Sequence, residues 1–511
     1  LTSGHLMLES GISVAEMRVA EINSEFLGVP TIRLMEAAGA SVASEIRKRV
    51  SPGAKVAVLA GGGGKAGDGF VAARHLDSMG YDVTVYLVAS RVRHPDAAQN
   101  FDVLKSATGV EIKPFEGGVD GFDVAIDALL GTGVKGAPRG KYAEAIEAIN
   151  SSGAGLKVAI DLPSGVIPDT GEVPGVAVKA DLTVTMHTPK KGLLVEPALS
   201  YVGELVVANI GIPRAATTRV GPGDVKVWFT PKPATAKKGD GGKVLVVAGS
   251  AEYVGAPWLT AIGAWSAGAD LVYLLAPENV VVRRFSPEII AHPLRGEKLV
   301  PGHIDTIRAY IRRADVVAVG PGLGTDPATF EAVHRLVEDV VAEGKHLVID
   351  ADALKALSAK DIGLSRRAVM TPHLGEASKL LGRPLENSRE SRVEAAKEIA
   401  RKYDAVVLLK GFIDVVAEPG GGFRVREGIG SSDMSAGGTG DILTGVVAEI
   451  LARSGNPFGA ARAASFIMAV AGVLSYYERG RSTPLNLVEY IPLIIKDPVS
   501  IASKALQYLR T

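Results

Sequence analysis

Short β-branched apolar runs alternate with longer stretches whose apolar residues recur every three to four positions, and the alternation continues along the whole chain. Residues 55–60, 83–88, 124–126, 158–160, 182–185 and 205–208 read as strands, with amphipathic stretches such as 69–79 and 142–149 between the early ones. The opening segment, 13–50, reads as two helices broken at Val29-Pro30. Strands alternating with helical stretches predict βαβ units and a mostly parallel, doubly wound sheet. After Ile212-Pro213 the composition changes, with Gly221-Pro222-Gly223 and Pro231-Lys232-Pro233 close together. A linker is expected near 214–225, between domains at 7–215 and 225–511. The strand series then restarts at 244–248, 271–275, 316–319, 347–349, 368–371, 406–409 and 415–416.

The length, 511 residues, is too great for one core, and 47% hydrophobic content is ample for two. Zero formal net charge and only 5% aromatic residues argue against a nucleic-acid partner. No uninterrupted apolar run approaches the ~20 residues of a membrane span, so no membrane partner is expected. Residues 1–6 are too short for a signal peptide and contain His5, and Met7 reads as the natural start. The chain has no cysteine, which excludes disulfides, thiolate metal sites and cysteine nucleophiles and fits the cytoplasm.

The most informative stretch is Ser435-Ala436-Gly437-Gly438-Thr439-Gly440-Asp441-Ile442-Leu443-Thr444-Gly445. Its glycines let successive backbone amides converge, and the apolar run from Ile442 reads as a helix whose N-terminus faces the same point. Free amides at a helix start attract phosphate. An acid there can take the proton of a nucleophilic hydroxyl while the amides hold the transferring phosphoryl group. Five further strands end in Gly249 to Pro257, Gly320-Pro321-Gly322-Leu323-Gly324, Asp350-Ala351-Asp352, Pro372-His373-Leu374-Gly375-Glu376 and Lys410-Gly411. All six loops belong at the carboxyl edge of one sheet. Singly each is weak: 320–324 reads equally as a plain turn, His373 as a structural histidine and Lys410 as a solvated strand end.

Their joint order resembles the ribokinase-like superfamily, and within it the nucleotide-dependent NAD(P)H-hydrate dehydratases, over residues 238–511. The resemblance implies that Asp441 is the catalytic base and that Gly438, Thr439 and Gly440 surround the phosphate. It implies that Ala256, Gly322, His373 and Asp441 line the hydrated nicotinamide nucleotide and that Glu376 organises Mg²⁺ through water. Lys410, Gly411, Phe412, Ile413 and Asp414, with Gly440, would hold the adenine nucleotide, ADP being the donor on the prokaryotic side of the family. The implied chemistry phosphorylates the C6 hydroxyl of hydrated NADH or NADPH and then eliminates phosphate, because hydroxide is a poor leaving group and phosphate a good one.

In the first domain, strand 55–60 runs into Gly61-Gly62-Gly63-Gly64-Lys65-Ala66-Gly67-Asp68-Gly69-Phe70. A phosphate-binding Walker loop is excluded, since Ala66 follows Lys65 where Ser or Thr is required. Two acids stand at strand ends before glycine turns, in Asp127-Ala128-Leu129-Leu130-Gly131-Thr132-Gly133 and in Asp161-Leu162-Pro163-Ser164-Gly165. With Lys179 to Thr185 these resemble the NAD(P)H-hydrate epimerase family over residues 12–212, and the fusion of the two families in one chain is known. The fold expected is thus α/β in two doubly wound domains, Rossmann-like and then ribokinase-like. The resemblance implies a phosphate-binding loop of Gly64, Lys65, Ala66, Gly67 and Asp68. It implies a second substrate loop of Gly131, Thr132, Gly133, Val134, Lys135, Gly136 and Ala137 near Tyr142, with Asp161 as acid/base and a homo-oligomeric assembly. It also implies K⁺ held by Asp127 and Ser164 with a third side chain, an asparagine in the family, at the position of Lys65. An ammonium has only donors and cannot ligate K⁺. Three readings stand: Lys65 turns outward and K⁺ keeps fewer ligands, the Lys65 ammonium occupies the cation site against Asp127, or Lys65 is a solvated loop residue.

Two alternatives use the same residues. One is a ribokinase-like kinase of a small vitamin precursor, served by the same Asp441. The other is a non-catalytic first domain that binds or dimerises, in keeping with Lys65, Ala37 and Ala137 at positions where the family has other residues.

Overall fold

The computed structural model describes residues 11–283 and 285–510, so the expectation for residues 1–6 and the start at Met7 lies outside the described residues. The chain divides into two compact units after Arg214. The first holds a seven-stranded sheet: β1 Lys55–Ala60, β2 Asp82–Leu87, β3 Glu111–Pro114, β4 Val124–Ala128, β5 Leu156–Ile160, β6 Leu182–Met186 and β7 Glu204–Ala208. The spatial order is β3-β2-β1-β4-β5-β6-β7 and every neighbouring pair is parallel. Strands covered on both faces are mostly apolar, and Val124 to Ala128 is buried at every position, with Asp127 its one polar residue. The order reverses between β1 and β4, which opens a crevice at their carboxyl ends. Helices Val14–Phe26 and Thr31–Arg47 confirm the break at Val29-Pro30.

The second unit carries nine strands: β8 Lys243–Val247, β9 Leu271–Pro277, β10 Ile290–Leu294, β11 Val316–Val319, β12 His346–Ile349, β13 Ala368–Met370, β14 Val406–Leu409, β15 Asp414–Ala417 and β16 Phe423–Arg426. Their order is β10-β9-β8-β11-β12-β13-β14-β15-β16, parallel through β14 and then antiparallel.

Three strands escape the sequence pattern, and all three are edge strands. β3 reads Glu-Ile-Lys-Pro, β10 contains His292-Pro293, and β16 reads Phe-Arg-Val-Arg. Edge strands need no continuous apolar run, so period and hydrophobicity do not mark them.

Two expectations are corrected. The stretch expected as a linker near 214–225 carries helices Arg214–Thr218 and Pro222–Trp228, and Asp224 in the second is fully buried. Proline at the first helical position favours a helix start, whatever the proline and glycine content suggests. Residues 64–68, expected as a loop, form the first turn of the helix Gly64–Ser78, because extended Gly63 caps it and the following residues take helical geometry.

Among the described residues one helix, Pro457–Arg479, is long and apolar enough to cross a membrane, yet 94% of its apolar window is buried inside the second unit. Beside it, helices Gly255–Ser266 and Thr439–Ser454 meet almost backbone to backbone. A Cβ on Gly263 would lie 2.4 Å from the Ile442 carbonyl oxygen, and one on Gly445 would lie 2.0 Å from that of Thr260. Only hydrogen fits at these two positions, and the contact fixes the start of Thr439–Ser454 against the loop after β8. Replacing Gly445 with alanine overpacks this contact, with an expected cost of about 1–3 kcal/mol. Denaturant unfolding of the variant against the parent chain measures it.

Candidate active sites

In the second unit Asp441 sits in the first turn of Thr439–Ser454, a helix that starts three residues before the apolar run from Ile442. The helix can start there because Gly438 adopts φ +92°, a conformation that L side chains rarely adopt. The Thr439 hydroxyl bonds back to the Met434 carbonyl at 2.9 Å, which ties the glycine loop to the start of the helix, where the first amides lack intrahelical acceptors.

Around Asp441 the strand-end loops converge. Asp350, at the end of β12, is buried, and its carboxylate accepts from Lys410 Nζ at 2.6 Å and from Thr444 Oγ1 at 2.7 Å. Burial disfavours the Lys410 ammonium, but Asp350 and Glu376 outweigh it and raise its pKa above the ordinary lysine value. Burial, reinforced by the charge of Asp350 and opposed by Lys410, pushes the Asp441 carboxyl up to about 7. Asp350 and Thr444 were given no role by the sequence. Their signal was an acid directly after a strand and a hydroxyl one helical turn beyond Gly440.

The other expected residues fall at the same edge. Gly322 lies against the loop after β8, its Cβ direction ending 3.2 Å from Ala256 Cβ. His373 pairs with Lys410 as an isolated parallel bridge and caps the helix Leu374–Leu381. Its Nδ1 accepts from the Gly375 amide at 3.0 Å, while Glu376 Oε2 accepts from the His373 amide at 2.9 Å. The segment from Lys410 to Asp414 is clamped from beneath. Arg392 donates to the carbonyls of Lys410 (2.7 Å) and Ile413 (2.9 Å), and Arg426 donates to that of Gly411 at 2.7 Å. The Asp414 carboxylate is turned inward to Gly411 N, Arg426 and Ser465, so it supports the turn. Phe412 stands on top, 88% exposed.

In the first unit Asp127 is the penultimate residue of β4 and is fully buried. Its oxygens accept from the Ser164 hydroxyl (2.6 Å), the Ser164 amide (2.7 Å), the Leu129 amide (3.1 Å) and Lys65 Nζ (2.9 Å). Lys65 is only 6% exposed and also donates to the Leu162 carbonyl at 2.7 Å and to Ser164 Oγ at 3.1 Å. Neither the outward nor the solvated reading of Lys65 describes this side chain. Gly131 lies beside the Lys65 stem, its Cβ direction ending 3.4 Å from Lys65 Cβ, and the Tyr142 ring stands 3.3 Å from the Cβ direction of Gly61.

Asp161 follows β5 with φ +64°, a left-handed conformation that aspartate tolerates at a cost and that is often found where function demands it. Its Oδ1 accepts from the Met186 amide at 3.1 Å and from the buried Lys190 ammonium. Burial raises Glu21 to about 6, against the attraction of Lys190, and raises Asp68 well above the carboxylate range, with Asp161 adding to the effect. Lys190 and Glu21 went unassigned in the sequence. A lysine just past strand β6, on the same edge as Asp161, was the available signal.

The family profile described as NAD(P)H-hydrate dehydratase matches residues 244–493, and that of the YjeF-related protein N-terminus matches residues 31–192. The bifunctional NAD(P)H-hydrate repair enzyme of Hyperthermus butylicus is 43% identical, over 98% of this chain and 95% of its own. That of Pyrobaculum aerophilum is 43% identical over 95% and 98%. The chain belongs to the bifunctional NAD(P)H-hydrate repair enzyme family. A solved ADP/ATP-dependent NAD(P)H-hydrate dehydratase of Bacillus subtilis, co-crystallised with ATP and Mg²⁺, aligns with 55% of this chain and 98% of its own at 25% identity, with a TM-score of 0.47.

For this member of the repair-enzyme family the two implied ions fare differently. Glu376 keeps one carboxylate oxygen for the helix cap, the other lies 3.6 Å from His373 Nε2, and among the described residues no group of three or more His, Asp or Glu is placed to hold a metal ion directly, so Mg²⁺ at Glu376 would have to be held through water. Resident K⁺ does not fit, because the oxygens of Asp127 and Ser164 already receive an ammonium. A second unit charge about 3 Å from it would be repelled by on the order of 5 kcal/mol at an effective dielectric of 20.

A carboxyl raised in the folded state is a stability cost above its unfolded pKa, and the cost grows as pH rises from about 4 to about 7. At pH well above 7 the cost is on the order of 4 kcal/mol for a shift of this size. Asp441→Asn should therefore melt higher than the parent chain in mildly alkaline buffer, with the gap narrowing toward pH 5, as differential scanning calorimetry across that range would record.

Proposed function

We propose that the second unit dehydrates hydrated NADH and NADPH at the expense of ADP and that the first interconverts the two C6 epimers, so that both are repaired. The observation that carries this reading is Asp441, a carboxyl poised near neutrality in the first turn of a helix at the sheet's carboxyl edge. Hydrated NAD(P)H would lie between the loop of Ala256, Gly322 and His373. ADP would present its terminal phosphate to the amides of Gly438, Thr439 and Gly440, with its adenine over Phe412 and the clamped segment 410–414. Asp441 takes the proton of the C6 hydroxyl as that oxygen attacks the terminal phosphorus, and AMP leaves. The C6–O bond then breaks with the electron pair leaving on phosphate, C5 gives up a proton to solvent as the C5–C6 double bond forms, and the dihydropyridine is restored, giving NAD(P)H, AMP and phosphate. Lys410 offsets the negative charge gathered at this edge by Asp350, Glu376 and the phosphates. Bound Mg²⁺, held through water by Glu376, would neutralise phosphate charge.

In the first unit Asp161 is the acid/base that exchanges protons with the substrate, and Lys190 holds its carboxylate in place. The helix start at Gly64 to Asp68 and the loop from Gly131 to Ala137 would receive the phosphates and the remainder of the dinucleotide. The cysteine-free composition supports a cytoplasmic setting.

The test separates the two halves within the full chain. A mixture of hydrate epimers should be restored to NAD(P)H in a single course by the parent enzyme, followed by its dihydronicotinamide absorbance. Asp161→Asn should split that course into a fast phase and a slow phase limited by spontaneous epimerisation. Asp441→Asn should abolish restoration, a loss of roughly 10²–10⁴-fold expected of a general base, while chromatography still shows the epimers equilibrating. Undiminished repair by Asp441→Asn would remove the basis of this reading. Because Asp441 acts as the carboxylate, kcat/KM for dehydration should rise with pH through a midpoint near 7 and then level off.

A further inference from the structure

A lysine at the second position of a helix is out of place. The helix start is the positive end of its dipole, and burial alone lowers the pKa of the Lys65 ammonium. A lysine free to choose would carry its charge into water. Lys65 instead turns inward, with its side chain 3% exposed, and meets three oxygens: Asp127 Oδ2 at 2.9 Å, the Leu162 carbonyl at 2.7 Å and Ser164 Oγ at 3.1 Å. An ammonium has three N–H groups, and each has one acceptor here. Asp127 is satisfied in turn, with its remaining oxygen taking the Ser164 hydroxyl and the Leu129 amide. The Ser164 hydroxyl also accepts from the Leu130 amide at 2.9 Å. The cluster is electrically closed, every polar group in it is engaged, and it ties the ends of β4 and β5 to the first turn of Gly64–Ser78.

We propose that the Lys65 ammonium is a resident cation, joined covalently to the chain, that takes the place of an exchangeable monovalent metal ion at the carboxyl edge of the first sheet. The oxygen set of Asp127, Leu162 and Ser164 is a cation site by its chemistry: a carboxylate, a carbonyl and a hydroxyl, all acceptors at one point. Lys65 fills it from within. The inference rests on the epimerase reading only for its effect on rate; its binding and stability consequences stand without it.

The experiment uses the full chain and its Lys65→Asn variant, which removes the ammonium and supplies an amide oxygen. Each is studied in buffers of matched ionic strength containing potassium, sodium or choline. For the parent chain the melting midpoint of the first unit and the rate of epimer interconversion should be the same in all three. Crystals soaked in rubidium chloride should show no anomalous peak among Asp127, Leu162 and Ser164. For Lys65→Asn the midpoint should fall in choline and recover saturably with potassium, by several degrees, and the rubidium peak should appear. A rubidium peak in the parent chain, or a saturable rise of its midpoint or rate with potassium, overturns the proposal. A folded Lys65→Asn chain indifferent to potassium also overturns it, since those oxygens would then not be a cation site. If Lys65→Asn does not fold, the parent chain's midpoint and soak still decide. Absence of epimerisation in every salt would count against the epimerase reading and leave the midpoint and soak to judge the cation.

Discussion

A carboxylate buried at the end of a strand must be neutralised, and in both units a lysine does so. Asp127 is closed by Lys65 and Asp350 by Lys410. Each pair also recruits a hydroxyl, from Ser164 in the first unit and from Thr444 in the second. The energetics of such pairs are unfavourable in isolation, because desolvating two charges costs more than their attraction returns unless every remaining lone pair is engaged. Here the lone pairs are engaged, so the pairs act as rivets: the first joins two strand ends to a helix start, and the second joins β12, β14 and the helix that carries Asp441.

That second rivet explains why Asp441 differs from its neighbour. Two aspartates share one lysine, and Asp350 takes the direct contact. Asp441 feels the burial and the repulsion of Asp350 with only partial relief from Lys410, and its pKa climbs to about 7. Environment thus gives two like groups different work: Asp350 is an anchor tied to Lys410 and Thr444, and Asp441 is a group able to gain and lose a proton near neutral pH. Asp161 in the first unit is managed differently: an amide and a buried ammonium hold it while the backbone accepts a left-handed turn.

Most of the architecture was readable from the chain. Central strands such as 55–60, 316–319 and 406–409 stand where their apolar runs put them, because burial on both faces leaves no other composition open. The polar edge strands β3, β10 and β16 were not readable, since only the neighbouring strand makes them strands. Among site residues, the order of the strand-end loops brought Ala256, Gly322, His373, Lys410 and Asp441 to one edge. What the sequence could not give was orientation. Whether Lys65 faced water or Asp127 depended on a carbonyl and a hydroxyl 97 and 99 residues further on. Whether Asp414 faced outward depended on Arg426 and Ser465 from other elements.

The exposed ring of Phe412 rises from a turn that is already rigid. A flexible loop that must stiffen to receive a flat partner surrenders part of its binding energy to lost conformational freedom. The turn beneath this ring is instead held by two arginines, Arg392 from a distant helix and Arg426 from the adjoining strand β16. The ordering cost of this turn is met when the chain folds, so a flat ligand stacked on the ring would not have to bear it again.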